Sequence, residues 1–210
     1  DSESENGEKD YIKEAMFGKK EEDDGFGSDA DAASVASEAG VDDEGAMGKS
    51  SLAVEGTKKF LENNPEASAN EIVEVVTNQQ MASALKAHDK IHILIRAAIT
   101  DQFFKNKEVE KFAPAVAKIT NGNEQIERHL ISALELASKD KPKNFAVMLK
   151  QFYDEDALEE TTILLWAGDG RSTFTLEAVD EDTRAALRSE AEPVVVWLQE
   201  ADSDSDSDED

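Results

Sequence analysis

The chain has 210 residues, 39% hydrophobic and 33% charged, with a formal net charge of −26 and no cysteine. Such a balance repels nucleic acid and anionic membrane, which select basic footprints, and it draws in lysine-rich partners by long-range steering. Without cysteine there are no disulfides, thiolate zinc sites or cysteine nucleophiles, and no run of ~18 apolar residues is present to span a membrane.

Charge divides the chain into three parts. Residues 1–48 hold sixteen acids and four bases, a net −12. This stretch is rich in Gly, Ser and Ala, carries little periodic apolar signal and reads as a disordered acidic linker. It starts at Asp1 without a signal-peptide pattern, so the chain reads as a fragment of something longer. Tyr11 to Phe17 forms a short apolar knot within it, too short for a stable lone helix. Residues 49–200 read as a folded, monomeric domain, and residues 201–210 as a disordered acidic tail. The terminal stretch 200–210 holds seven acids and no base.

The middle is helical in pattern and long enough to bury a core. Ser68-Ala69-Asn70-Glu71 is a capping box ahead of Ile72, Val75 and Val76. Ile126, Leu130, Ala133, Leu134 and Ala137 form one apolar stripe at three- and four-residue steps. Ala157, Leu158, Thr161, Leu164 and Leu165 form another, with Asp156-Ala157-Leu158-Glu159 resembling its cap, and Leu187, Ala191, Val194 and Leu198 a third. Asn121-Gly122 closes one helix and Pro142 opens the next. The spacing predicts helices near 51–63, 68–80, 82–104, 108–120, 123–138, 142–153, 156–167 and 178–200. Strand signals are poor. Short connections between helices of this length predict an all-α fold of antiparallel pairs stacked as an α-solenoid.

Three constellations could carry function. His88 and His92 stand at i and i+4, a spacing that can hold zinc. His129 offers no obvious third ligand, so surface or partly packed histidines are the plainer reading. In the second, Tyr153, Asp154, Glu155, Asp156, Glu159, Glu160 and Trp166 place aromatics around five carboxylates, a match for a lysine-rich segment. The same residues also read as a helix start with a solvated acidic first turn and core aromatics, and both readings can hold at once. The third sets Glu190, Glu192, Trp197, Glu200 and Asp202 beside Pro193 and an Asp-Ser tail. Pro193 either kinks this helix or starts its last segment. Both tryptophans lie on or beside an apolar stripe, so both are expected to be largely buried. The acids of the two tracts are expected to form one continuous acidic surface. Ser203, Ser205 and Ser207 each have an acid three residues on, a spacing suited to an acid-directed kinase. No catalytic residue, metal ligand or cofactor is assigned.

The second and third constellations resemble the two aromatic/acidic boxes at the C-terminus of eukaryotic translation initiation factor five. Tyr153-Asp154, Leu158-Glu159-Glu160 and Ile163 to Trp166 match the first box. Ala191-Glu192-Pro193, Trp197-Leu198 and the acidic tail match the second. The resemblance covers roughly 110–202, including the helix around Arg128-His129-Leu130. It implies a HEAT-like, non-enzymatic adaptor domain in the cytoplasm. Its implied partners are lysine-rich boxes in the beta subunit of initiation factor two, and initiation factors three and one. The family's N-terminal zinc ribbon and arginine finger, which activate GTP hydrolysis, would belong to the parent protein. The rival of the same fold is the C-terminal domain of the epsilon subunit of the exchange factor for initiation factor two. An acidic chaperone of basic proteins, or a zinc hydrolase, would be rivals of other classes.

Overall fold

The computed structural model describes the backbone of residues 43–205 and the side chains of residues 49–200. Eight helices lie in this range, with no strand among the described residues: α1 (Asp43–Asn63), α2 (Ala69–Ala82), α3 (Asp89–Ala98), α4 (Glu108–Thr120), α5 (Glu124–Ser138), α6 (Pro142–Asp154), α7 (Glu160–Gly168) and α8 (Glu181–Ser205). Residues 1–42, with the Tyr11–Phe17 knot, and residues 206–210 lie outside it. Helix α1 begins within the stretch read as linker, and α8 continues into the stretch read as tail.

The packing order defines the architecture. Each helix from α1 to α5 packs on its successor, and each from α1 to α6 packs on the helix two further along. The chain therefore lays down two layers, α1-α3-α5-α7 and α2-α4-α6-α8, which is an α-solenoid. The last pair, α7 and α8, closes the stack, and α8 also touches α5. One continuous core runs through it, built on Ile93, Leu94, Leu130, Leu134, Phe145, Leu149 and Phe152. Gly56 marks a close approach in the first pair, since a Cβ there would meet the Gln79 side chain at 2.7 Å.

Local chemistry explains the helix ends. The capping box at α2 forms: the Glu71 N–H donates to Ser68 Oγ, and the Ser68 N–H donates to Glu71 Oε2 at 2.8 Å. Asn121 and Gly122 close α4 with φ of 48° and 65°. Of the segment predicted as one helix over 82–104, only Ala82 at the end of α2 and the residues of α3 are helical. Ala84 turns left-handed at φ 51°, and the Lys86 N–H is drawn to the Asp89 carboxylate at 2.8 Å. At the other end the buried Glu108 carboxylate accepts the Thr100 N–H at 2.6 Å, the Thr100 hydroxyl at 2.8 Å and the Asn106 amide at 3.0 Å. It diverts polar groups that a continuing helix would use, and the chain leaves the helix at Ile99.

The start of α7 also differs from the sequence pattern. Asp156 does not cap it but adopts a left-handed φ of 53°, and the helix begins at Glu160. Ala157 and Leu158 are buried as a plug between α6 and α7. The buried face is then Thr162, Ile163 and Trp166, while Thr161 and Leu165 are exposed. Moving the start past a non-helical turn rotates every later side chain by about 100° per residue.

Candidate functional site

The two aromatic/acidic tracts sit at the closing end of the solenoid, and the fold divides their residues among three places. The first is the corner where α6 ends. Phe145, Met148, Leu149 and Phe152 bury the inner face of α6, which leaves Lys150, Tyr153 and Asp154 on one flank toward α8. Trp197 of α8 arrives there. Its ring meets Tyr153 edge-on at 5.8 Å, and Lys150 Nζ lies 4.5 Å from its centroid. Lys150 Nζ also pairs with Asp154 at 2.7 Å. The turn that follows exposes Glu155, Asp156 and Glu159, with Glu160 half-buried. Glu200, one turn beyond Trp197, is exposed as well.

Trp197 is 43% exposed, which corrects the expectation that both tryptophans are largely buried. The buried stripe of α8 is Arg184, Leu187, Ala191 and Leu198. A residue adjacent to Leu198 points about 100° away from that stripe.

The second place is the interior around Trp166. Its ring is 8% exposed and lies 5.1 Å from that of Phe145. Its indole N–H donates to Glu135 Oε1 at 2.9 Å. Burial pushes the Glu135 carboxyl above its ordinary range, partly offset by that hydrogen bond and by Arg184 and Arg188. Arg188 lies over the Trp166 ring, 5.1 Å from its centroid, and donates to the Trp166 and Ala167 carbonyls at 2.8 Å each and to the Asp169 carbonyl. A cation thereby satisfies the carbonyl end of α7. Arg128 pairs with Asp169, and Arg184 donates to the Gly170 carbonyl at 3.0 Å, so three arginines tie down the loop after α7. Glu192 lines a groove of about 320 Å³ beside Trp166 and Val195.

The third place is the beginning of α6. Glu190 faces a groove of about 580 Å³ there, together with Lys141 and Lys143. The acids read as one surface are therefore distributed, and Glu190 shares its groove with bases. Trp166 faces inward while Trp197 sits on the α6 flank. The side chains of Asp202, Ser203, Ser205 and Ser207 lie outside the described set.

Two buried acids escaped the sequence reading. Glu127, 1% exposed, accepts the Glu159 N–H at 3.1 Å and the Thr162 hydroxyl at 2.6 Å. It caps α7 from a neighbouring helix, a favourable place for an anion. Glu135 holds Trp166. Both fall on the α5 stripe with Leu130, Ile131 and Leu134, where a carboxylate in an apolar register is the visible signal.

The three histidines of the chain meet between α3 and α5. His88 stacks on His129 at 3.9 Å, and His92 Nε2 is 3.2 Å from His129 Nδ1. Burial holds both His92 and His129 down to about 4. The described residues contain no group of three or more His or acidic residues arranged to hold a metal ion.

Residues 126–208 match the family model "W2: eIF4-gamma/eIF5/eIF2-epsilon". The chain is 31% identical over 133 residues to eukaryotic translation initiation factor 5 of Phaseolus vulgaris, covering 60% of this chain and 28% of that protein. It is 30% identical over 102 residues to the Drosophila melanogaster factor, covering 47% and 21%, and 25% identical over 111 residues to that of Mus musculus, covering 50% and 25%. The chain thus spans about a quarter of the length of these relatives. In fold it is similar to the solved structure "The C-terminal Domain of Translation Initiation Factor 5 at low pH", with a TM-score of 0.57 and 20% identity, covering 75% of this chain and 97% of that one.

Proposed function

We infer that this chain, which is similar to initiation factor 5 in sequence and to its C-terminal domain in fold, is a translation-initiation adaptor that binds lysine-rich segments of other initiation factors. The beta subunit of initiation factor two is the main partner in this reading, with initiation factors three and one as further partners. The domain itself is not an enzyme, and GTPase activation belongs to the parent protein. One observation carries the reading: within residues 154–159 the turn between α6 and α7 exposes four carboxylates, those of Asp154, Glu155, Asp156 and Glu159, beside the Tyr153–Trp197 pair. No helix among the described residues is long and apolar enough to cross a membrane.

Exposed charge pairs contribute only ~0.2–1 kcal/mol each and are screened by salt. Several must act together, and their largest effect is on the rate of encounter. The tail adds to this in the proposal. Phosphates at Ser203, Ser205 and Ser207 would contribute about −1.5 to −2 charges each and speed association. The test is the association kinetics of a lysine-rich peptide at low and high salt, with intact, phosphorylated, tail-deleted and Glu155→Gln/Asp156→Asn/Glu159→Gln protein. Slower association of the triple variant at low salt is expected, with the difference shrinking at high salt. Equal rates for all four proteins at low salt would refute the electrostatic reading. Because the matched family model also names eIF2-epsilon, an exchange assay on GDP-loaded initiation factor two separates the second reading. No acceleration is expected.

A further inference from the structure

Lys150 lies one turn before Asp154 on α6, and its ammonium is held from two directions. Nζ is 2.7 Å from Asp154 Oδ1 and 4.5 Å from the centroid of Trp197. Tyr153 backs the tryptophan edge-on at 5.8 Å. A carboxylate and an electron-rich ring face are the two groups that select an ammonium. The corner assigned above to lysine binding therefore already contains a lysine, and it is the chain's own.

We propose that Asp154, Tyr153 and Trp197 form a subsite for a primary ammonium, that Lys150 occupies it in the free protein, and that a partner's lysine enters by displacing Lys150. The inference rests on the proposed function and deepens it. Three observations make the self-contact exchangeable. The Lys150 and Asp154 side chains are 42% and 48% exposed, so their pairing is weakened by solvent. The lysine precedes the acid at i,i+4, the less favourable order on a helix. A four-carbon stem lets the ammonium swing into water while its methylenes stay on the protein surface. Each partner lysine that uses the subsite competes with this internal one, so the apparent affinity falls by the fraction of molecules in which the corner is filled.

The test measures binding of a lysine-rich peptide to the intact chain at low salt, for wild type, Lys150→Gln, Lys150→Arg and Lys118→Gln. Lys118 is exposed on α4 and its substitution makes the same change in net charge. Lys150→Gln is expected to bind about three- to tenfold tighter than wild type, from the loss of two weak contacts. Lys118→Gln is expected to gain less, and Lys150→Arg, which refills the corner, to bind as wild type. In parallel, the Lys150 methylene protons should be shifted upfield by the Trp197 ring in the free protein, and should return to ordinary values on peptide saturation. Equal gains for Lys150→Gln and Lys118→Gln would reduce the effect to net charge and overturn the self-ligand while leaving the binding surface intact. An unshifted Lys150 in the free protein would do the same. Failure of both wild type and Lys150→Gln to bind would instead overturn the lysine-binding reading, and this inference with it.

Discussion

Truncating Trp166 separates packing from binding. The indole is almost fully buried, packs on Phe145, and satisfies the interior carboxylate of Glu135. Trp166→Ala removes that bulk, and such truncations cost about 3–5 kcal/mol. Each kcal/mol lowers the melting temperature of a domain this size by roughly 2–4 °C, so a fall of about 6–20 °C is expected from the two magnitudes. Trp166→Phe keeps most of the packing but leaves Glu135 without its donor, a loss of about 1–3 kcal/mol. This smaller loss should grow with pH. Glu135 already has a raised folded pKa, so its stabilising contribution is lost as pH rises through that value. Without the indole donor the value rises further, and the variant loses more ground once the carboxyl must ionise. Thermal unfolding followed by circular dichroism at several pH values measures both effects. Peptide binding far below the variant's melting point should survive Trp166→Ala, because the exposed acids lie at the α6–α7 turn. An Ala variant that melts like wild type, or that is fully folded yet fails to bind, would refute the assignment of Trp166 to the interior.

Two further predictions concern buried polar groups. His92 and His129 are held to about 4 against an ordinary 6.5, so the unfolded chain takes up protons first as pH falls. The stability they contribute is complete above pH 6.5 and is lost between 6.5 and about 4; discounting the more exposed His129, the loss is about 2–4 kcal/mol. Denaturant titrations at pH 7 and pH 4.5, on wild type and His92→Phe/His129→Gln, check this, and an unchanged pH slope in the double variant would contradict it. Glu127→Ala should cost about 1–3 kcal/mol by leaving the Glu159 N–H and Thr162 hydroxyl without their acceptor, and amide exchange should quicken at residues 159–163. Glu127→Gln, which retains an acceptor, should lose less, and equal exchange in all three proteins would rule out the cap.

Local signals were enough for the class of fold. The Ser68 capping box, the Asn121-Gly122 stop and Pro142 at a helix start act through the backbone of their own segment, so the sequence determined them alone. The stripe Leu187, Ala191 and Leu198 was legible because a helix face is periodic. The tracts at Tyr153 to Trp166 and Ala191 to Leu198 were legible as motifs because aromatics and acids cluster in them and because they resemble a known family's pair of aromatic/acidic boxes. Only the tertiary structure decided where helices break and which motif residues meet. Glu108 ends α3 by reaching back eight residues to Thr100, and Glu127 starts α7 from another helix; neither interaction has a local pattern. The inward turn of Trp166 and the outward turn of Trp197 follow from a one-position change relative to a buried stripe. The meeting of Lys150 with Trp197 depends on α6 and α8 lying side by side in one layer, a long-range packing that no segment specifies by itself.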